Sequence, residues 1–150
     1  MRTLAIAAAL ALAGCSRNIV YTHYEHVPES GWEQDASLSF LTDTMHHDGP
    51  YAEELHVRFT GSYPYRLLTL IVSQTAAPSG YSRTDTVTIE LTDDKGNTRG
   101  QGTMHKDVAM PLTPVALASG DRLHVTVRHH MHRFCLPGIT DLGFKLSTVE

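Results

Sequence analysis

The stretch TDTVTIELT, residues 84–92, decides the fold class of this chain. Its apolar residues recur at every second position, as Val87, Ile89 and Leu91, and threonines and acids fill the positions between them. Successive side chains of a β-strand point to opposite faces, so this alternation predicts a strand with one face in a core and one in water. The DDKGN that follows predicts a tight turn, because Gly and Asn adopt positive φ at low cost.

Similar strands are predicted on both sides of this stretch. LLTLIVS, residues 67–73, is almost continuously apolar, which predicts a central strand covered on both faces. Near the C-terminus Leu123, Val125 and Val127 alternate with polar residues and should point inward. The predicted strands are 19–27, 38–42, 55–60, 67–73, 84–92, 98–104, 123–128 and 142–146, with 98–104 as the hairpin partner of 84–92. No segment carries a long helical stripe, so we predict an all-β fold, a single antiparallel β-sandwich domain of about eight strands.

The first residues predict a lipoprotein signal peptide in front of this domain. Arg2 gives a short positive start, and residues 4–12 are Leu, Ala and Ile without charge. That run is shorter than the roughly 20 residues that span a bilayer, and it has the length of a signal-peptide core. The motif LAGC at residues 12–15 matches the lipobox, in which a cysteine thiol accepts diacylglycerol. We therefore expect a signal peptide at 1–14, a lipidated tether at 15–18 and the β-sandwich domain at 19–150.

Lipidation of Cys15 defines the expected location and cofactors. Covalent diacylglycerol and an N-acyl chain on Cys15 would hold the protein stably on a membrane, and no other cofactor is expected. Ser16 stands where an Asp would retain a lipoprotein at the inner membrane, and no acidic export run follows. This favours the outer membrane and a domain that faces the periplasm. Cys135 is then left without a disulfide partner, and we expect it to be buried.

Composition and motifs narrow the function classes. The chain has 16 acidic and 12 basic residues without a basic stripe, which disfavours nucleic acid as a partner. We find none of the familiar hydrolase, metalloprotease or nucleotide-binding motifs, so an enzyme is not expected. Ten histidines are the one compositional oddity. On a strand, His130 and His132 would share one face and His129 the other, so the first two are the candidate metal ligands, although no third ligand stands at a recognised spacing.

Three aromatic residues are candidates for interaction with a partner. Trp32, the only tryptophan in the sequence, either packs in the core or is an exposed ring that stacks on a glycan. Tyr63 and Tyr65 flank Pro64 and form either a structural corner or an aromatic platform. LPGI, residues 136–139, predicts a tight turn with its glycine at positive φ, which Asp141 could cap.

Several blocks of the chain resemble one family in order and spacing. They cover nearly all of the chain behind the lipobox, and the YPY and LPGITDLG elements are the most specific of them. The blocks are VY at 20–21, PESGW at 28–32, LHVR at 55–58, YPYRL at 63–67, LIVS at 70–73, TDTV at 84–87, LTD at 91–93 with Gly96, and Met131 followed by LPGITDLG at 136–143. With these blocks the chain resembles the gliding-motility lipoprotein H family (GldH) of the Bacteroidetes.

The resemblance implies an accessory lipoprotein of the cell envelope. The family is associated with the gliding apparatus, which is linked with the type IX secretion system, and it implies no catalytic residue. The expected partners are the membrane, through the lipid anchor, and envelope proteins of a motility or secretion apparatus. The alternative reading is a periplasmic ligand-binding β-sandwich module for glycan or metal, which exposed aromatic rings or converging histidines would favour.

Overall fold

The computed structural model describes residues 18–149. The predicted signal peptide and the lipidation site at Cys15 lie outside the described residues. Within them the chain forms only strands, turns and loops, and no helix there has the length and apolar character needed to cross a bilayer. The strands are β1 Ile19–His26, β2 Trp32–Glu33, β3 Leu38–Leu41, β4 Gly49–Phe59, β5 Leu67–Ala77, β6 Tyr81–Glu90, β7 Lys106–Pro111, β8 Val115–Leu117, β9 Arg122–His129, β10 Cys135–Leu136 and β11 Ile139–Thr148.

Two antiparallel sheets make up the body of the domain. The five-stranded sheet has the order β1-β11-β4-β7, with β8 paired to the start of β4. The four-stranded sheet has the order β3-β9-β5-β6, and β2 and β10 form a separate two-stranded ribbon. The predicted all-β sandwich is confirmed. Residues 18–149 form eleven strands and not eight, because the short β2, β8 and β10 and the partly polar β7 were missed and the predicted strand 98–104 does not form.

The core lies between the inner faces of the two sheets. Alternate residues of β4, such as Leu55 and Val57, meet alternate residues of β5, such as Leu68 and Leu70, and all four are fully buried. Burial of this apolar surface is the main force that holds the sheets together. The predicted inward positions of β9 are confirmed, since Leu123, Val125 and Val127 are fully buried, and so are Ile89 and Leu91, with Val87 partly buried.

Two strand predictions are wrong. The central strand β5 is covered on one face only, and Leu67 at its start is exposed, because β9 and β6 flank it within one sheet and no other strand of residues 18–149 covers its outer side. Residues 98–104 do not return as a hairpin strand, and only one bridge joins Thr92 to Thr98. Gly100 has φ +90, and a Cβ on it would lie 2.4 Å from the carbonyl oxygen of Asp107, so the chain turns sharply against β7 instead.

The two ends of the sandwich differ in what they contain. Asn18 N donates to Thr148 Oγ1 at 3.3 Å and Thr148 N donates to Asn18 O at 2.9 Å, so the chain enters at a fixed point beside the end of β11. We call this the anchor end. The opposite end holds Trp32, Tyr63 and Gly138, and we call it the distal end. The eight residues of β1 separate the two ends by about 25 Å at about 3.3 Å per residue.

Candidate interaction surface at the distal end

The YPY corner and the LPGI turn meet at the distal end. Gly138 has φ +89, as predicted for this turn, and a Cβ on it would lie 2.3 Å from Tyr63 N. Thr60 N donates to Gly138 O at 2.8 Å and Tyr63 N donates to Thr60 O at 3.1 Å. Only glycine fits at position 138, because both its backbone angle and its contact exclude a side chain. Two blocks that lie far apart in the sequence thus form one close-packed junction.

The PESGW block packs against the same turn from the other side. Gly31 has φ +115, and a Cβ on it would lie 2.5 Å from Cys135 Sγ. Gly31 N donates to Pro28 O at 2.9 Å, and the next residue, Trp32, pairs with Leu136 in the β2–β10 ribbon. Cys135 is half-buried rather than buried as expected, because the ribbon lies at the margin of the domain. Its thiol donates to Ser30 O at 3.2 Å.

Trp32 belongs to the core and not to the surface. Its side chain is 1% exposed, and its Nε1 donates to Ala36 O at 2.7 Å. The ring of His129 packs edge-on against it, with centroids 5.4 Å apart. The ring of Trp32 therefore offers no surface to a glycan or a partner protein.

His129 is a fully buried structural histidine. Its Nε2 lies 2.9 Å from Trp32 O, and Met131 N donates to its Nδ1 at 3.3 Å. Both contacts fit one neutral tautomer, with the proton on Nε2. Burial lowers the pKa of His129, although hydrogen bonds to backbone carbonyls oppose part of that shift. This histidine holds the ribbon onto β9.

The two tyrosines of the corner differ in exposure. Tyr63 is buried, its hydroxyl donates to Leu67 O at 2.7 Å, and burial raises its pKa. Tyr65 is 39% exposed, and its ring packs edge-on against Tyr63 at 5.8 Å. Tyr63 thus serves as the structural corner, and Tyr65 is the aromatic candidate that a partner can contact.

The predicted metal candidates lie in an exposed loop at the same end. β9 ends at His129, so the strand alternation expected for His130 and His132 does not hold, and both are exposed. Across residues 18–149 no group of three or more His, Cys, Asp or Glu side chains is arranged to hold a metal ion. Asp141 does not cap the LPGI turn as predicted, because it lies within β11, where its Oδ1 is 3.2 Å from His26 Nδ1.

The assembled blocks leave a cleft of about 390 Å³ at the distal end. Its walls include Pro28 and Pro137, whose rings fix the backbone, and the cleft extends to Glu29 and to the His26–Asp141 pair. None of its lining residues in the described part of the chain is Lys or Arg. A weakly acidic cleft between two prolines, with exposed Tyr65 packed on the neighbouring Tyr63, can bind a protein segment.

Sequence reasoning missed a polar network on the outer face of the five-stranded sheet. Asp107 is its centre: the Tyr24 hydroxyl donates to Oδ2 at 3.2 Å, Arg58 Nε donates to Oδ2 at 3.1 Å, and His56 Nδ1 lies 3.2 Å from Oδ1. The guanidinium of Arg58 also stacks 3.9 Å over the Tyr24 ring. A Cβ on Gly143 would lie 2.6 Å from the same ring, so this glycine lets Tyr24 lie flat on the sheet.

The network continues along β4 and has a signal in the sequence. His56 Nε2 and Lys145 Nζ both contact Glu54 Oε1, at 2.6 Å and 3.1 Å. Burial is the largest single influence and would raise the pKa of Glu54, but the hydrogen bonds and charges of Lys145 and His56 together outweigh it, so the pKa is lowered. Glu54, His56 and Arg58 recur with a period of two within β4, which is the pattern that could have predicted one polar face. The side chains of the network form their hydrogen bonds and ion pairs with one another, so the network stabilises the sheet.

Comparison with known proteins gives one assignment. No curated protein matches this chain. Among solved structures, the Eiger TNF from S. frugiperda is similar with 12% identity and a TM-score of 0.35, over 89% of this chain and 95% of that one. The model of the family described as GldH lipoprotein matches residues 19–146, which is most of the chain. The chain therefore belongs to the GldH lipoprotein family.

Proposed function

We propose that this protein is a non-catalytic accessory lipoprotein of a gliding-motility or type IX secretion apparatus. It is anchored by acyl chains on Cys15 in the outer membrane and faces the periplasm. Its β-sandwich presents the distal end to envelope proteins of that apparatus. A membrane tether raises the local concentration of such a partner, so a modest affinity is sufficient.

One observation carries this proposal. Three of the blocks that carry the family resemblance, PESGW, YPY and LPGI, are separate in the sequence but pack into one surface, through Gly31 on Cys135 and Gly138 on Tyr63. That surface lies at the end farthest from the point where the chain enters. A membrane-anchored domain contacts a partner away from the membrane most easily with that end. The burial of Trp32 and the loop position of His130 and His132 give the glycan or metal alternative no comparable support.

The experiment is site-specific photo-crosslinking in the living source bacterium. A photoreactive phenylalanine analogue replaces Tyr65 at the distal end, and the matched control replaces Thr86, which is exposed in the middle of β6. We expect position 65 to give discrete crosslinks to motility or secretion components, identified by mass spectrometry, and position 86 to give none. Equal crosslinking from both positions, or crosslinks only to unrelated envelope proteins, would reject the proposal.

A lipidation test accompanies the crosslinking. Cys15→Ala should release a folded domain from the membrane fraction and abolish the crosslinks from position 65. The proposal is wrong if the Cys15→Ala protein stays in the outer membrane and cells that carry it move and secrete normally.

A further inference from the structure

A second cleft lies at the anchor end of the domain. It measures about 390 Å³ and is formed by the β7–β8 loop, by parts of β4 and β11, and by the two ends of the described chain. Ile19 and Val149 stand on its walls, with 57% and 38% of their surfaces exposed. Its six apolar lining residues are Ile19, Ala52, Pro111, Leu112, Pro114 and Val149. Scattered exposed apolar residues are common on proteins, but here four of them, Ile19, Pro111, Pro114 and Val149, line one cleft, next to the polar residues Glu53, Glu54, Lys145 and Ser147.

The position of this cleft relative to the anchor is fixed. Asn18 is held to Thr148 by hydrogen bonds of 3.3 Å and 2.9 Å, so the start of β1 cannot swing away from β11. Cys15 lies three residues before Asn18, which is at most about 10 Å of extended chain. An acylated Cys15 therefore keeps Ile19, the first residue of β1, within reach of the lipid headgroups.

We propose that the anchor end rests on the bilayer, with Ile19, Leu112 and Val149 in contact with the lipid surface. This inference rests on the proposed lipidation of Cys15. Apolar side chains at the headgroup boundary add binding in proportion to the area they bury. The acyl chains supply the attachment, and these three apolar side chains set the orientation. The sandwich then stands with its strands along the membrane normal and its distal end away from the bilayer.

Tryptophan reporters test the orientation in the lipidated protein. Val149→Trp places a reporter at the anchor end, and Met104→Trp places the matched control in an 81% exposed position that lies with Tyr63 at the distal end. Each lipidated variant is reconstituted in vesicles of phosphatidylethanolamine and phosphatidylglycerol with brominated acyl chains. The native Trp32 is buried and distal, so it gives the same background in both variants.

We expect quenching of Val149→Trp to exceed that of Met104→Trp several-fold. Adding Ile19→Asp to the Val149→Trp protein should reduce that quenching while flotation with the vesicles is unchanged. Equal quenching of the two reporters, or stronger quenching of Met104→Trp, would overturn the inference. A blue-shifted Val149→Trp emission that depends on protein concentration, without lipid quenching, would assign the cleft to a second copy of the chain and would also overturn it.

The lipidation is scored separately, so that the two proposals can fail independently. Intact-mass analysis and flotation of the wild-type protein report the acyl chains on Cys15, and quenching is read only from floated protein. An unmodified mass with no flotation would refute the proposed anchor. A correct lipid mass with equal quenching of both reporters would refute the orientation alone.

Discussion

Replacing Arg83 by Met should cost this domain a large part of its stability. Arg83 Nη2 donates to Glu53 Oε2 at 2.9 Å and to Thr113 O at 3.0 Å, and its Nη1 donates to Pro114 O at 3.3 Å. The Glu53 side chain is fully buried between the two sheets. Its other donor is Gln74 Nε2, at 3.0 Å, and within the described chain neither Glu53 Oε1 nor Gln74 Oε1 has a hydrogen-bond partner.

The expected cost follows from the unpaired charge that the substitution leaves behind. Removing one partner of a buried ion pair costs about 3–5 kcal/mol. Arg83 retains 20% exposure of its side chain, so water screens part of the pair, and we expect about 3 kcal/mol. In a domain of this size that corresponds to a fall in Tm of about 10 °C. Urea unfolding of the unlipidated chain that begins at Ser16 measures the change.

The deficit should depend on pH in a defined direction. Burial raises the pKa of Glu53, although the hydrogen bond from Gln74 and the charge of Arg83 oppose part of the shift. A carboxyl whose folded pKa is raised contributes stability that is complete below its unfolded pKa and is lost as the pH rises through the folded pKa. The Arg83→Met deficit should therefore be largest at neutral pH and shrink as Glu53 takes up a proton in acid.

A second substitution and a control make this prediction refutable. Glu53→Gln in the Arg83→Met background removes the unpaired charge and should restore most of the lost stability. Arg128→Met, at an exposed position of β9, should stay within about 0.5 kcal/mol of wild type. A loss below about 1 kcal/mol for Arg83→Met, or a double variant as unstable as the single, would show that the pair does not act as argued.

Two further predictions concern the distal end. His129→Gln should lower the unfolding free energy by about 1–2 kcal/mol, because it disrupts a buried hydrogen bond to Trp32 O. Burial lowers the pKa of His129, so its contribution to stability is present above its unfolded pKa and is lost as the pH falls through its folded pKa. The variant should therefore lose less stability than wild type as the pH falls below about 6.5, and parallel pH curves would contradict this. Gly138→Ala should cost more than Gly96→Ala in thermal unfolding, because both have positive φ but only position 138 also meets backbone atoms. The expected costs are above about 2 kcal/mol and about 1 kcal/mol, and equal values would mean that the close contact relaxes without strain.

The sequence predicted those features that depend on local patterns. The alternation of Val87, Ile89 and Leu91 and of the β9 residues reports directly which face meets the core. The positive φ of Gly138 followed from its place after proline in a short connection between strands. Such features need only the period of a strand and the backbone angles of a turn.

Features that depend on distant partners were not predictable from the sequence. Glu53 stands at an inward position of β4, and nothing local shows that Arg83 and Gln74 meet it there. The apolar run of β5 predicted two covered faces, yet the arrangement of the sheets leaves one face open. The pattern of residues 98–104 predicted a hairpin partner for the preceding strand, but the close approach of Gly100 to β7 directs the chain away from that strand. In each case tertiary packing outweighed the local signal.

The dimensions of the domain limit where a partner can be. A tether of three residues from Cys15 to Asn18 spans at most about 10 Å. The strands hold the distal end about 25 Å beyond the start of β1. An upright domain therefore carries Tyr65 and the distal cleft to roughly 35 Å from the lipid, the sum of these two lengths. A partner in the periplasm must reach that layer or lie within it.

Inserting six Gly-Ser residues after Ser16 adds about 20 Å of possible extension and should weaken crosslinking from position 65, because it lowers the effective concentration of a partner held at fixed height. Undiminished crosslinking would mean that the partner is mobile or that the height of the domain does not matter.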